Sequence, residues 1–176
     1  MNPSMPVPVS REFYGTLLLV LAASSLLPGV GAIAAPLCGA ASLALGLQLA
    51  AGRRIPWVPE RVRGWLSSST FGPRLSLWIQ NHLRPLFGLP TPRFPGILAG
   101  LTVAWTGLLL VLPLALIPFS DLIPALALGL VGAGLAARRS LFGWLGMATS
   151  GGYTALLIIL GEALSLTAQE TLALFL

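Results

Sequence analysis

The sequence predicts an all-α integral membrane protein, in which two proline-broken helical hairpins repeat one another, interfacial amphipathic helices link them, and a C-terminal membrane helix follows. Three observations predict it. Of 176 residues, 56% are hydrophobic and only 9% charged, against about 25% charged in an ordinary soluble domain. The apolar residues form long blocks without formal charge, not the 3.6-residue or two-residue spacing of a half-buried surface element. These blocks also follow the same series twice. Each time an apolar helix meets a proline break, then a second apolar helix with an early proline (Pro36, Pro124), a double arginine, and aromatic residues. Such broken segments at matching places are what repeat-built membrane proteins carry, and chance likeness between two low-complexity apolar stretches is the competing reading.

Residues 1–10 contain prolines at 3, 6 and 8 and read as a frayed lead-in. The first hairpin covers residues 11–54. Its opening helix runs from Arg11 and Glu12 to Leu27, and Pro28-Gly29-Val30-Gly31 ends it, since proline cannot continue the hydrogen-bond ladder and glycine favours turns. Its second helix spans Ala32 to Ala51 and stops at Gly52-Arg53-Arg54. A cleavable leader would need a more basic start than Arg11, which Glu12 offsets, so Phe13 to Leu27 reads as a retained helix.

Residues 55–95 form the linker. They hold Arg61, Arg63, Arg74, Arg84 and Arg93, with Trp57, Trp65, Trp78 and His82 among seven prolines. Val58 to Leu66 and Leu75 to Phe87 mix apolar and polar residues at helical spacing, as in helices lying in the headgroup plane. The second hairpin covers residues 96–139 and breaks at Pro118-Phe119-Ser120-Asp121. Its second helix, Leu122 to Ala137, is about 24 Å long by its rise, short of the roughly 30 Å of hydrocarbon. The hairpins therefore either span fully or enter and leave on one side, with their turns buried in protein or lining a wet cavity. In residues 140–176, Leu141 to Leu160 reads as a crossing helix, and Ala163 to Leu176 as a shorter segment that returns or lies flat.

All ten basic residues are arginine, and the formal net charge is +5. In a soluble chain that balance would suggest nucleic acid; here the arginines sit between apolar blocks, which points to membrane lipids and excludes a nucleic-acid partner. If both units are hairpins, Arg11, the cluster from Arg53 to Arg93, and Arg138-Arg139 share one face, which the positive-inside bias makes cytoplasmic. Arg53, Arg54, Trp57, Arg138 and Arg139 are the expected headgroup contacts.

Reactive chemistry is sparse. Asp121, at a turn between apolar helices, is costly in lipid and so a candidate substrate or proton site, with Ser120, Pro28, Gly29, Gly31 and Pro118 around it. In the plainer alternative, Ser120 or Asp121 caps the helix beginning at Leu122. His82 is the only histidine and Cys38 the only cysteine, so no metal site, disulfide or cofactor is expected. No paired carboxylates, phosphate loop or nucleophile triad stands out, and no enzymatic activity is expected. The small residues Gly39, Ala40, Ala41, Ser42 and Gly46, and Gly129, Gly132 and Gly134, suit close helix contact within a hairpin or a homodimer.

Several stretches carry a resemblance. They are Leu27-Pro28-Gly29-Val30; Ala44 to Leu49 followed by Gly52-Arg53-Arg54-Ile55-Pro56-Trp57-Val58-Pro59; Ile117-Pro118-Phe119-Ser120-Asp121-Leu122-Ile123-Pro124; and Gly132-Ala133-Gly134-Leu135. On these the chain, from about Phe13 to Leu160, resembles the exopolysaccharide-synthesis ExoD family of bacterial membrane proteins. It departs from that pattern in a short polar N-terminus and in Ala137-Arg138-Arg139-Ser140, where the family often has Glu-Arg-Asp-Gly. The resemblance implies a multi-pass protein of the bacterial inner membrane that supports exopolysaccharide synthesis or export, with polysaccharide-synthesis machinery as its partner. A small transporter or channel with its site near Asp121 is the alternative.

Overall fold

The computed structural model describes residues 10–26, 31–53, 56–57, 81, 92–111 and 121–175. Five helices make up nearly all of them: α1 Ser10–Ser25, α2 Gly31–Ala50, α3 Gly96–Val111, α4 Leu122–Ala136 and α5 Ser140–Phe175. No strand occurs among the described residues. Alanine and leucine dominate the helices, and these residues lose little on entering one. Pro124 is tolerated because it falls in the first turn of α4, where backbone N–H groups have no acceptor inside the helix. Pro36 lies further inside α2.

Two sequence expectations about helix ends are corrected. The opening helix stops at Ser25, short of Leu27, with Leu26 already in a turn. The C-terminal region is one helix of 36 residues, not two segments. Gly161 and Glu162 do not interrupt α5, because one helical glycine costs only about 1 kcal/mol and no proline follows it. At 1.5 Å per residue α5 is about 54 Å long, whereas α1 to α4 measure roughly 22 to 30 Å. Its Ser140–Ala163 stretch of 24 residues is the one described helix long and apolar enough to cross a membrane, by length and composition.

The closest packing is not within the hairpins, and α4 lies along α5 about as closely as along α1. α2 lies against α3 and α1 against α4, while α1 touches α2, and α3 touches α4, less extensively. The two hairpins thus exchange partners, the first helix of each lying along the second helix of the other. Glycines permit this. A Cβ placed on Gly46 would sit 2.3 Å from the Ala104 nitrogen and 2.8 Å from the Gly100 oxygen, and one on Gly100 would sit 2.3 Å from the Ala50 nitrogen and 2.8 Å from the Gly46 oxygen. Gly39 meets the Gly107 oxygen and the Val111 nitrogen, and Gly107 meets the Gly39 oxygen and the Leu43 nitrogen. Gly15 and Gly132 face each other under the same rule, each against the other's oxygen and the nitrogen four residues further on, Ala136 or Leu19. Three reciprocal glycine crossings hold both pairs antiparallel. Gly134 also abuts Gly143 of α5, but Gly129, expected in close contact, would meet only the Ala22 side chain at an ordinary 3.6 Å.

Between the paired helices lies a core of Tyr14, Leu17, Leu18, Ala22, Leu45, Leu49, Ala99, Val103, Leu128 and Val131. Cys38 is buried. The hydroxyls of these apolar helices mostly satisfy themselves: Thr16, Ser24, Ser25, Thr102, Thr106, Thr149 and Thr154 each donate to the carbonyl four residues back. That arrangement needs no water. Two further bonds tie α3 to α5, Trp105 Nε1 donating to Thr154 Oγ1 at 2.8 Å and Thr106 Oγ1 lying 3.1 Å from Ser150 Oγ.

Candidate functional site

Arginine-bearing helix ends gather at one end of the bundle. Tyr14, near the start of α1, donates through its hydroxyl to the Arg53 carbonyl just past the end of α2. Glu12 pairs with Arg138, just past the end of α4, at 2.9 Å. Phe94, before α3, donates its N–H to Ser140 Oγ at the start of α5 at 3.1 Å. Arg53, Arg93, Arg138 and Arg139 thereby come to the same end, as the charge sorting in the sequence anticipates.

How α2 and α4 finish explains part of this. After α2, Arg53 N–H returns to the Gln48 carbonyl and Gly52 N–H to that of Leu49, closing a six-residue C-cap in which Gly52 takes the left-handed φ of 73°. After α4, Arg139 N–H returns to the Gly134 carbonyl in the same way, but the left-handed position, φ 53°, belongs to Arg138. A side chain there costs on the order of 1 kcal/mol relative to glycine. Beyond the first cap, Gln48 holds the chain back. Its Oε1 accepts from Trp57 N–H at 2.6 Å and its Nε2 reaches the Trp57 carbonyl at 3.5 Å, leaving the indole 73% exposed.

A cavity of about 400 Å³ opens at this end, lined by Arg93, Arg138, Arg139, Phe94, Val131 and Leu135, with Gly134, Ser140 and Gly143 completing it. Phe94 is seated by packing: its ring lies where a Cβ on Gly143 would be, and it meets Trp144 edge-on at 5.1 Å. Trp144 Nε1 in turn donates to the Pro92 carbonyl at 3.3 Å. Residues 92–94 are thus strapped to the start of α5, which brings Arg93 beside the Arg138-Arg139 pair.

At the other end stands Asp121. It occupies the N-cap position of α4, but with helical angles (φ −81°, ψ −17°) and without a side-chain hydrogen bond to the helix start, so the expected side-chain cap is not formed by this residue. Its carbonyl accepts from Ala125 N–H at 3.0 Å, and its carboxylate bears electrostatically on Tyr153 of α5. The Tyr153 hydroxyl is buried without a hydrogen-bond partner among the described residues, as is Ser42 Oγ. Sequence reasoning passed over Tyr153. Of the other candidates, Gly31 begins α2, while Pro28, Gly29, Pro118, Ser120, Arg54 and His82 lie outside the described residues, as do the two linker helices apart from Asn81. No cluster of three potential metal ligands occurs among the described residues.

The family model described as "Exopolysaccharide synthesis, ExoD" matches residues 8–159. The chain belongs to the ExoD family. No curated protein and no solved structure matches it. The match to ExoD takes in α1 to α4 and the first part of α5, so both ends of the bundle, the basic cavity and the surroundings of Asp121, lie within the family region. The family name associates the chain with exopolysaccharide synthesis and supports a membrane protein, without defining a molecular activity.

Proposed function

We propose that this ExoD chain is a non-enzymatic, multi-pass protein of the bacterial inner membrane that supports exopolysaccharide synthesis or export through assembly with the synthesis machinery. The observation that carries the membrane part is the shape of the bundle. Four apolar helices of roughly 22 to 30 Å have their arginines at one end, beside a longer apolar α5 whose Leu156, Ile158, Ile159 and Leu160 are exposed. With Ser140 at the cytoplasmic boundary, α4 begins at the level of Tyr153, about 20 Å in, short of the far boundary. That depth favours re-entrant hairpins, and the matching C-caps and reciprocal glycine crossings favour two copies of one unit. A homodimer is a natural cover for the exposed Leu156, Ile158, Ile159 and Leu160 of α5. Deleting the gene is expected to lower surface polysaccharide at least several-fold and a chromosomal copy to restore it; unchanged amount and export would remove the reading.

A second reading, a small transporter or channel, draws on one observation: the Asp121 carboxylate acts electrostatically on the buried Tyr153 hydroxyl of the apolar α5. Ionisable groups inside a membrane are costly and mark ion or substrate paths. Liposomes containing the protein would then pass protons or small ions, with flux reduced at least tenfold by Asp121→Asn. Liposomes no leakier than empty ones would rule it out.

A further inference from the structure

We propose that the basic cavity between α4, the start of α5 and residues 92–94 binds a phosphate-headed amphiphile, its phosphate held by Arg93, Arg138 and Arg139 and the beginning of its chain lying along Val131, Leu135 and Phe94. The inference builds on the reading that this end of the bundle meets the lipid boundary, and gives that boundary a specific ligand.

Charge and shape argue together. Three guanidiniums and one nearby carboxylate, Glu12, leave a net charge of about +2, which a phosphate monoester matches. Among the described residues Arg138 has an acidic partner, and Arg93 and Arg139 have none. Glu12 does not exhaust Arg138, because a guanidinium has five donors and one carboxylate engages at most a pair of them at a time. The walls are not those of a site for a free ion. Val131, Leu135 and Phe94 are apolar, and the glycines at 134 and 143 let neighbouring elements close on each other behind them. A head with two or three charges and an apolar tail satisfies both halves of the lining; inorganic phosphate satisfies one.

Backbone conformation adds an independent sign. The chain closes α2 with glycine in the left-handed position and α4 with arginine in the equivalent one. Fold alone favours glycine at both. Strain held at one residue of a cavity lining, and absent from its counterpart, points to a use for that side chain. Position 138 also offers a clean variant, since Arg138→Gly removes the guanidinium while easing the backbone.

The test uses the full chain purified in an uncharged maltoside detergent, with native mass spectrometry counting bound molecules of dodecyl phosphate. One dodecyl phosphate per chain is expected, with affinity falling at least tenfold in Arg138→Gly and in Arg93→Gln/Arg139→Gln, while both variants keep the parent's melting temperature within a few degrees. Inorganic phosphate is expected to compete no better than chloride. Equal competition by inorganic phosphate would overturn the amphiphile in favour of a free anion site, and retention of full affinity in stable Arg138→Gly protein would overturn the site. Neither result touches the deletion phenotype, so failure of the cavity and failure of the proposed cellular role are read separately.

Discussion

Gly46→Leu or Gly100→Leu is expected to abolish recovery of folded protein, and even Gly46→Ala or Gly100→Ala to destabilise it by about 3 kcal/mol, the upper part of the range for overpacking. The new atom would meet backbone rather than a side chain, so neither rotamer change nor a neighbour's repacking relieves it. Only separating α2 from α3 does, and each of the two crossings on that interface depends on the other. In lipid the loss is not offset by hydrophobic burial elsewhere, because helix association there rests on close packing and hydrogen bonds. Gly151→Ala and Gly152→Ala provide the contrast. Nothing lies within 4 Å of a Cβ at either position, so a gain of about 0.5 to 1 kcal/mol is expected from helix propensity alone. Thermal melts in detergent, followed by tryptophan fluorescence, would measure both sets. If all four alanine variants melt together, the glycine crossings do not hold the bundle.

Leu156→Arg combined with Ile159→Arg is expected to remove the chain from the membrane fraction. Both side chains are exposed on α5, at 52% and 65%, in the far half of the spanning stretch; an arginine costs about 2.5 to 3.5 kcal/mol at the bilayer centre and less toward the boundary, so the two are placed together to make the loss measurable. The same exposed positions on a water-soluble helix would accept arginine with little effect and gain solubility. Fractionation and alkaline extraction of the double variant therefore separate two environments by the sign of the outcome: loss from the bilayer if lipid surrounds α5, improved yield if water does.

Much of this architecture is legible in the sequence because its signals are local. The stop of α1 a few residues ahead of Pro28, the stop at Gly52-Arg53 and the stop at Arg138-Arg139 go with prolines, glycines and charges close by in the sequence. Placement of the arginines at one end follows once helices of similar length are joined as hairpins. The pairing of α1 with α4 and α2 with α3 is less legible. Helices apolar on every side have no amphipathic face to show which surface is inward, so periodicity carries no information there. The one usable sign was spacing: Gly39 and Gly46, and Gly100 and Gly107, each stand two turns apart, yet only the first pair was singled out. Gly129 was singled out without need, since composition cannot tell a glycine at a crossing from one beside it. The cavity was invisible for a different reason. Arg93 reaches Arg138 and Arg139 only because Ser140, Gly143 and Trp144 fix residues 92–94 against α5, a set of tertiary contacts with no local signature. The left-handed position of Arg138 was hidden too, since matching the double arginines sets Ala137, not Arg138, opposite Gly52.

The central claim, that all arginine-bearing ends face one side of a membrane, is tested most directly by side-selective cysteine labelling. With Cys38→Ala as background, single cysteines at Trp57 and Arg93 are treated with a membrane-impermeant maleimide in intact spheroplasts and in inverted vesicles. Both positions are expected to react in inverted vesicles and to stay unlabelled in spheroplasts. Labelling of either one from the outside, or of the two from opposite sides, would contradict the arrangement.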